Sequence, residues 1–312
     1  MEAAGSSKMT ILEDVSGFED RKNSILYCQP TGIGNNIQNK HESNNNVIFF
    51  PGDVQDFVEN MKEHHNSKEW VEFSYEKTVE LFSQKFSGSH IWLISPSKKI
   101  YKTFSIYKNF VKSEGLFGIP EYTGDYNGLL HLQKLFTNAH GLVFKDKNAS
   151  KSLNNDYTIT LSAFSKGCIV LNQFLYEVAE FSRTDNHVEH NQNSGNVLPF
   201  ISRIKNLYWL DGGHSGEKDI WVKDKDVLKS LKTGKWCENI KIFIHLTPYQ
   251  VKDKIHPWKG EEEAEFVSGL TELGVNFVEK LHFDTGDDDD EIIDKEASLR
   301  KHFEVMNVFV GE

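Results

Sequence analysis

The 312-residue sequence predicts an α/β fold, in which a mostly parallel sheet is covered by helices on both faces. Two observations carry this reading. The run "NVIFF" (46–50) is apolar without alternation, the pattern of a fully buried strand, and "HIWLIS" (90–95), "YTITLSAF" (157–164) and "IKIFIHL" (240–246) read as further short, largely apolar strands. Stretches of helical periodicity separate them, and alternating strands and helices build parallel β-α-β units.

The elements follow in order. Residues 1–46 read as a polar, partly flexible N-terminal segment that ends in the Asn-rich loop "TGIGNNIQNKHESNNN", and 47–312 as one domain. The strand at Val47 is stopped by Pro51-Gly52. A helix is expected from Trp70 to Phe86, and then the strand at 90–95. Pro96 to Tyr126, rich in lysine and aromatics, reads as a long irregular connection. A helix over Leu129–Phe144 and the polar linker "KDKNASKSLNND" lead to the strand before Ser165. The helix after Ser165 gives way to a polar surface loop at 183–196. Strand "IKNLYWL", a helix at Val227–Leu231 and strand "IKIFIHL" follow. The helix "EEEAEFVSGLTELG" opens on acids, which suit an N-terminus, and stops at Gly274. Strand "VNFVEKLHF" and helix "KEASLRKHFEVMNVFV" close the chain.

Composition narrows the function. Lys and Arg number 35 against 46 Asp and Glu, a net charge of −11 that argues against nucleic acid or an anionic membrane as the main partner but allows a local basic patch. Cys28, Cys168 and Cys237 have neither metal-site spacing nor an even disulfide count, which suggests a reducing compartment. No apolar stretch approaches membrane-span length, and the acid-bearing first thirty residues resemble neither a signal nor a transit peptide. A soluble, intracellular, cytoplasmic protein is expected. "HVEH" lacks a second ligand pair for zinc, "GDDDDEIID" lacks EF-hand spacing, and "TGIGNN" has no following helix to bind a dinucleotide. No metal and no cofactor are predicted.

The chemical signal lies at "TITLSAFSKGCIVLNQF". A nucleophile elbow places its serine on a sharp strand-to-helix turn, with small residues two before and two after, here Ala163 and Gly167 around Ser165. The pattern alone arises by chance in roughly one such chain in six, so the flanking strand and helix carry the argument. An incidental serine at a strand end is the rival reading. "FFPGD" ends an earlier strand, where Gly52 and Asp53 would offer amides to an oxyanion, with the Lys166 N–H as the other half. Lys166 itself is expected to be exposed, and Cys168 a buried, inert thiol. His282 in "KLHFD" ends the last expected strand, where a triad histidine should fall. Asp211, leaving "NLYWL" before Gly-Gly, is slightly favoured as the acid; Asp253 is the alternative. His214 in "DGGHSG" reads as a loop-fixing residue.

The segments "FFPGDVQDF", "FSKGCIVLNQFL", "LYWLDGGHSG", "TPYQVKD" and "LHF" together resemble the chromosome 2 open reading frame 69 family, from about Val47 to the C-terminus. The resemblance implies an α/β-hydrolase-like fold, association with mitochondria, and a role in respiratory function or glycogen storage, with no established reaction. Ala163 stands where that family can carry Gly. The expectation is a serine hydrolase of a small acyl or lipid-like substrate, an ester or thioester, using Ser165, His282 and Asp211. The alternative is an inactive hydrolase scaffold that binds a protein or lipid partner through residues 96–126.

Overall fold

A computed structural model describes residues 8–30, 44–145, 156–184, 197–213, 218–234, 240–284 and 295–311. Eight strands form the main sheet: β1 (Met9–Ser16), β2 (Lys22–Cys28), β3 (Asn45–Phe50), β4 (His90–Ile94), β5 (Thr158–Phe164), β6 (Ile204–Leu210), β7 (Lys241–Leu246) and β8 (Phe277–Leu281). Their spatial order is β1-β2-β4-β3-β5-β6-β7-β8. β1 pairs antiparallel with β2, and β2 antiparallel with β4; all other pairs are parallel.

Because side chains alternate across a strand, each unbroken apolar run feeds two cores at once. Ile48, Phe50, Leu161, Ala163 and Trp209 face one side. There they meet α2 (Gly128–Phe144), α3 (Cys168–Thr184), α4 (Lys225–Thr233) and α5 (Trp258–Leu273). Val47, Phe49, Phe164, Tyr208 and Leu210 face the other, against α1 (Tyr75–Lys85) and α6 (Lys295–Val308). With a serine-bearing strand–turn–helix at the end of β5, this is the α/β-hydrolase fold.

Three local expectations are corrected. The sheet starts at Met9, so the polar N-terminal segment contributes two strands. β2 is buried through "ILYC" because it fills the place beside β4. The helix expected from Trp70 begins as a 3-10 turn at Lys68–Phe73 and becomes α-helical only at Tyr75, where the Ser74 side chain accepts from the Lys77 N–H. The supposedly irregular connection contains two antiparallel hairpins, Lys98–Ile100 with Phe104–Ile106 and Lys112–Glu114 with Ile119–Glu121. Gly274 ends α5 in the left-handed conformation, as its place in the sequence requires. The motifs "TGIGNN", "HVEH" and "GDDDDEIID", with His214 and Cys237, lie outside the described residues.

The chain runs from β3 to one side of the sheet and returns to β5 on the other. The carboxyl ends of β3 and β5 therefore flank a topological switch point, where open α/β sheets place their ligand sites. The sequence put "FPGD" after one of these strands and Ser165 after the other.

Phe82 of α1 is fully buried, 4.5 Å from the Phe49 ring and 5.4 Å from that of Phe309 by centroids, away from the switch point. Phe82→Ala should lower unfolding free energy by about 3–5 kcal/mol in urea denaturation. A loss below about 1 kcal/mol would show that this face is not tightly packed.

Candidate active site

Ser165 has a φ of +50°, a left-handed conformation that L-residues avoid, and it is buried. Phe164 before it is still extended, and a 3-10 turn over Ser165–Gly167 leads into α3. Close packing makes the small neighbours necessary. A Cβ on Gly167 would lie 2.2 Å from the Phe50 carbonyl oxygen, and backbone cannot move aside for it. Ala163 fits because it pairs with Trp209 and Phe50 inside the sheet, where its methyl group is wholly buried. Cys168 is a buried thiol, 3.3 Å from the Ala163 carbonyl, with its pKa driven up by burial.

The turn after β3 abuts the serine: a Cβ on Gly52 would stand 3.0 Å from that of Ser165. The Gly52 N–H is already engaged, donating to Gln55 Oε1 at 2.8 Å. Gln55 is buried and anchored in turn to the Phe73 carbonyl and Thr78. The Asp53 N–H makes no hydrogen bond among the described residues. The Asp53 carboxylate accepts from the Ser105 N–H at 2.6 Å. Burial raises its pKa, opposed by Lys166, the Ser105 bond, Lys99 and His302.

Lys166 is buried, contrary to the exposed position expected for it. Its Nζ donates to the carbonyls of Phe117 and Gly118 at 3.2 and 3.1 Å, and burial lowers its pKa to about 8 against the pull of Asp53. The second hairpin folds over the serine end of α3 and supplies those acceptors.

Asp211 leaves β6 with a φ of +49° and is completely buried. Its Oδ1 accepts from the Thr247 N–H at 2.7 Å. Its Oδ2 accepts from the Thr247 hydroxyl at 2.6 Å and sits 2.6 Å from His302 Nδ1. A carboxylate taken fully out of water needs such a set of donors. His302 lies between the rings of Phe164 and Tyr249, with centroids 4.6 and 4.7 Å away. It therefore adjoins the residue immediately before Ser165, with Nδ1 turned to Asp211 and Nε2 on the opposite edge of the ring.

The structure does not bring His282 to Asp211. His282 Nε2 is 2.9 Å from His245 Nδ1, and its N–H donates to the Leu246 carbonyl. β7 intervenes between β8, which carries His282, and β6, which carries Asp211, so His245 occupies the space between them. Burial, followed by His282 and two lysines, lowers the pKa of His245 to about 4, while burial and the same lysines lower that of His282. Asp253 is also elsewhere. It binds His256 at 2.8 Å and Lys259 at 2.7 Å and accepts from the Ile255 N–H. Burial alone would raise its pKa, but these partners hold it well below the usual range.

His302 was missed because it lies inside a helix rather than after a strand. The sequence does contain a signal: Leu299, His302, Phe303 and Met306 fall at helical spacing on one stripe, so the histidine shares the buried face.

A sequence model of the C2orf69 family matches residues 11–163 and 144–276. The mitochondrial protein C2orf69 homolog of Danio rerio is 33% identical over 98% of this chain and 87% of its own length. The human mitochondrial protein C2orf69 is 34% identical over 84% of this chain and 74% of its own length. Among solved structures, a lipase/esterase from Lactobacillus plantarum aligns with a TM-score of 0.45 at 12% identity, covering 94% of this chain and 97% of that one. The Pyrococcus horikoshii acylaminoacyl peptidase aligns with a TM-score of 0.45 at 10% identity, covering 88% and 37%. These structural scores are low, and the fold assignment rests on the strand order and the elbow. Among the described residues, no helix is long and apolar enough to cross a membrane. On the strength of the family match and these relatives, the chain belongs to the C2orf69 family.

Proposed function

We propose that the protein is a serine hydrolase acting on an ester, thioester or related acyl group, with Ser165 as nucleophile, His302 as general base and Asp211 as the group that orients the imidazole. One observation carries the reading: the 2.6 Å contact between fully buried Asp211 and His302, whose ring lies against Phe164, the residue before a serine held at positive φ. His302 replaces His282 in this role.

With its Nδ1–H donated to Asp211, the imidazole has Nε2 as its base. His302 Nε2 takes the Ser165 proton as Oγ bonds to the acyl carbon, and returns it to the leaving group as the scissile bond breaks. Water, deprotonated by the same nitrogen, then releases the acid and frees Oγ. The oxyanion is met by the amides of Lys166, at the start of the helical turn, and Asp53. Gly52 is left out because Gln55 holds its N–H. Asp211 keeps the imidazole oriented and stabilises the imidazolium that forms.

The mitochondrial location is part of the proposal and rests on the names of the relatives. Fractionation of cells expressing the full-length protein should find it with mitochondria, and enrichment in the cytosol would count against this.

The two histidines give the sharpest test. A fluorophosphonate probe should label the folded protein at Ser165, and Ser165→Ala should remove the label. His302→Ala should slow labelling by about a thousandfold, while His282→Ala should stay within about threefold of wild type. The reverse pattern would return the role to His282. A folded wild type that takes no label would favour the inactive scaffold.

The acids are separable in the same assay. Asp211→Asn should reduce the labelling rate by about three orders of magnitude, with circular dichroism unchanged, because the wrong imidazole tautomer is then favoured. Asp253→Asn should leave the rate within about twofold of wild type, since its partners His256 and Lys259 lie in its own loop and the first turn of α5.

A further inference from the structure

The two hairpins over the serine end in an apolar surface that the proposed chemistry does not use. Tyr101 is 68% exposed, Leu116 55%, Phe117 46% and Phe104 36%. The two hairpins meet through these residues: the Phe104 and Phe117 rings pack edge to face with centroids 4.9 Å apart. The second tip is a tight turn with Gly115 and Gly118 both at positive φ, so Leu116 and Phe117 project from it. The hairpins pack against each other at Gly118, where a Cβ would lie 2.8 Å from Ile106 Cδ1. The patch is thus a formed surface, fixed to the core through Lys166 and Asp53 beside Ser165.

The charge around the patch runs against that of the chain. Residues 96–126 hold five lysines and three acids in a protein of net charge −11. Lys112 is paired with Glu121, and Lys99 lies 3.9 Å from Asp56. Lys98, Lys102 and Lys108 are exposed and make no ion pair among the described residues. Four side chains fall far short of the roughly 800 Å² that each partner buries in a stable protein interface. Apolar tips on a segment with three exposed lysines instead suit a bilayer, which accepts a few side chains at its acyl boundary and attracts cations through anionic headgroups.

We propose that this cap docks the protein on an anionic phospholipid surface, with Tyr101, Phe104, Leu116 and Phe117 inserted and Lys98, Lys102 and Lys108 on the headgroups. The docking needs no catalysis; its purpose, delivering acyl groups from the lipid phase to Ser165, rests on the hydrolase reading.

The test is co-sedimentation of the full chain with vesicles of phosphatidylcholine alone or mixed with phosphatidylserine, with fluorophosphonate labelling of the same samples. Wild type should bind the mixed vesicles, more weakly as salt rises, and bind phosphatidylcholine poorly. Lys98→Gln, Lys102→Gln and Lys108→Gln together should weaken binding by about a hundredfold. Tyr101→Ser, Leu116→Ser and Phe117→Ser together should weaken it at least about tenfold. All these positions are exposed, and thermal unfolding should match wild type. Ser165→Ala should bind vesicles normally without labelling. Failure of the folded wild type to bind mixed vesicles, or binding as tight as wild type by both cap variants, would overturn the proposal even with labelling intact. Self-association abolished by the serine variants, without vesicle binding, would overturn it in favour of a second copy as occupant. Vesicle binding without labelling would instead sustain the docking and reject the hydrolase.

Discussion

The buried carboxylate of Asp211 is the constraint around which the rest of the site is arranged. An ionised side chain with no access to water must be surrounded by donors. The Asp211 carboxylate finds them in two parts of the chain: Thr247 gives an N–H and a hydroxyl, and α6 brings His302, while the Asp211 amide itself donates to the His245 carbonyl at the end of β7. Losing any one donor would leave a buried acceptor unsatisfied, a defect that costs about 1–3 kcal/mol. The same contacts that secure the end of the sheet therefore fix the orientation of the imidazole. Stability and the proposed chemistry depend on one set of hydrogen bonds.

The positive φ of Ser165 follows from the packing around it. β5 is buried on both faces and must turn into α3 without colliding with β3, whose Phe50 carbonyl stands where a side chain at 167 would go. A glycine there lets helix and strand approach closely. The strain at Ser165, about 1–2 kcal/mol for a left-handed L-residue, is held by the two cores that meet across the sheet. The turn after β3 is held in the same way, with Gln55 bonded both to Gly52 and to the segment before α1.

The cap extends this arrangement outward. Ser105 donates to both the Gly52 carbonyl and the Asp53 carboxylate, Tyr107 to the Pro51 carbonyl, and Lys166 to the second hairpin. The "FPGD" turn is thereby fixed from above by the hairpins and from below by Gln55. Lys166, which the sequence suggested would be an ordinary surface lysine, is buried because it bridges the elbow helix and the cap.

The sequence by itself determined the layered fold. Strands buried on both faces must be apolar throughout, and helices covering them must show their own period, so both patterns can be read without coordinates. It also identified the elbow and the "FPGD" turn, because steric demands leave small residues at fixed spacing. Asp211 was legible for a similar reason, as an acid leaving a buried strand before two glycines. Which histidine reaches Asp211, the burial of Lys166 and the strand pairing within residues 96–126 depend on the tertiary structure. His282 and His302 both follow β8 in the chain, and spacing cannot rank them. β7 separates the first from Asp211, whereas α6 packs across the sheet end and carries the second onto it. Local sequence records which residues are buried and how the chain turns; which buried groups meet depends on strand order and helix placement, and these arise only when the whole sheet is assembled.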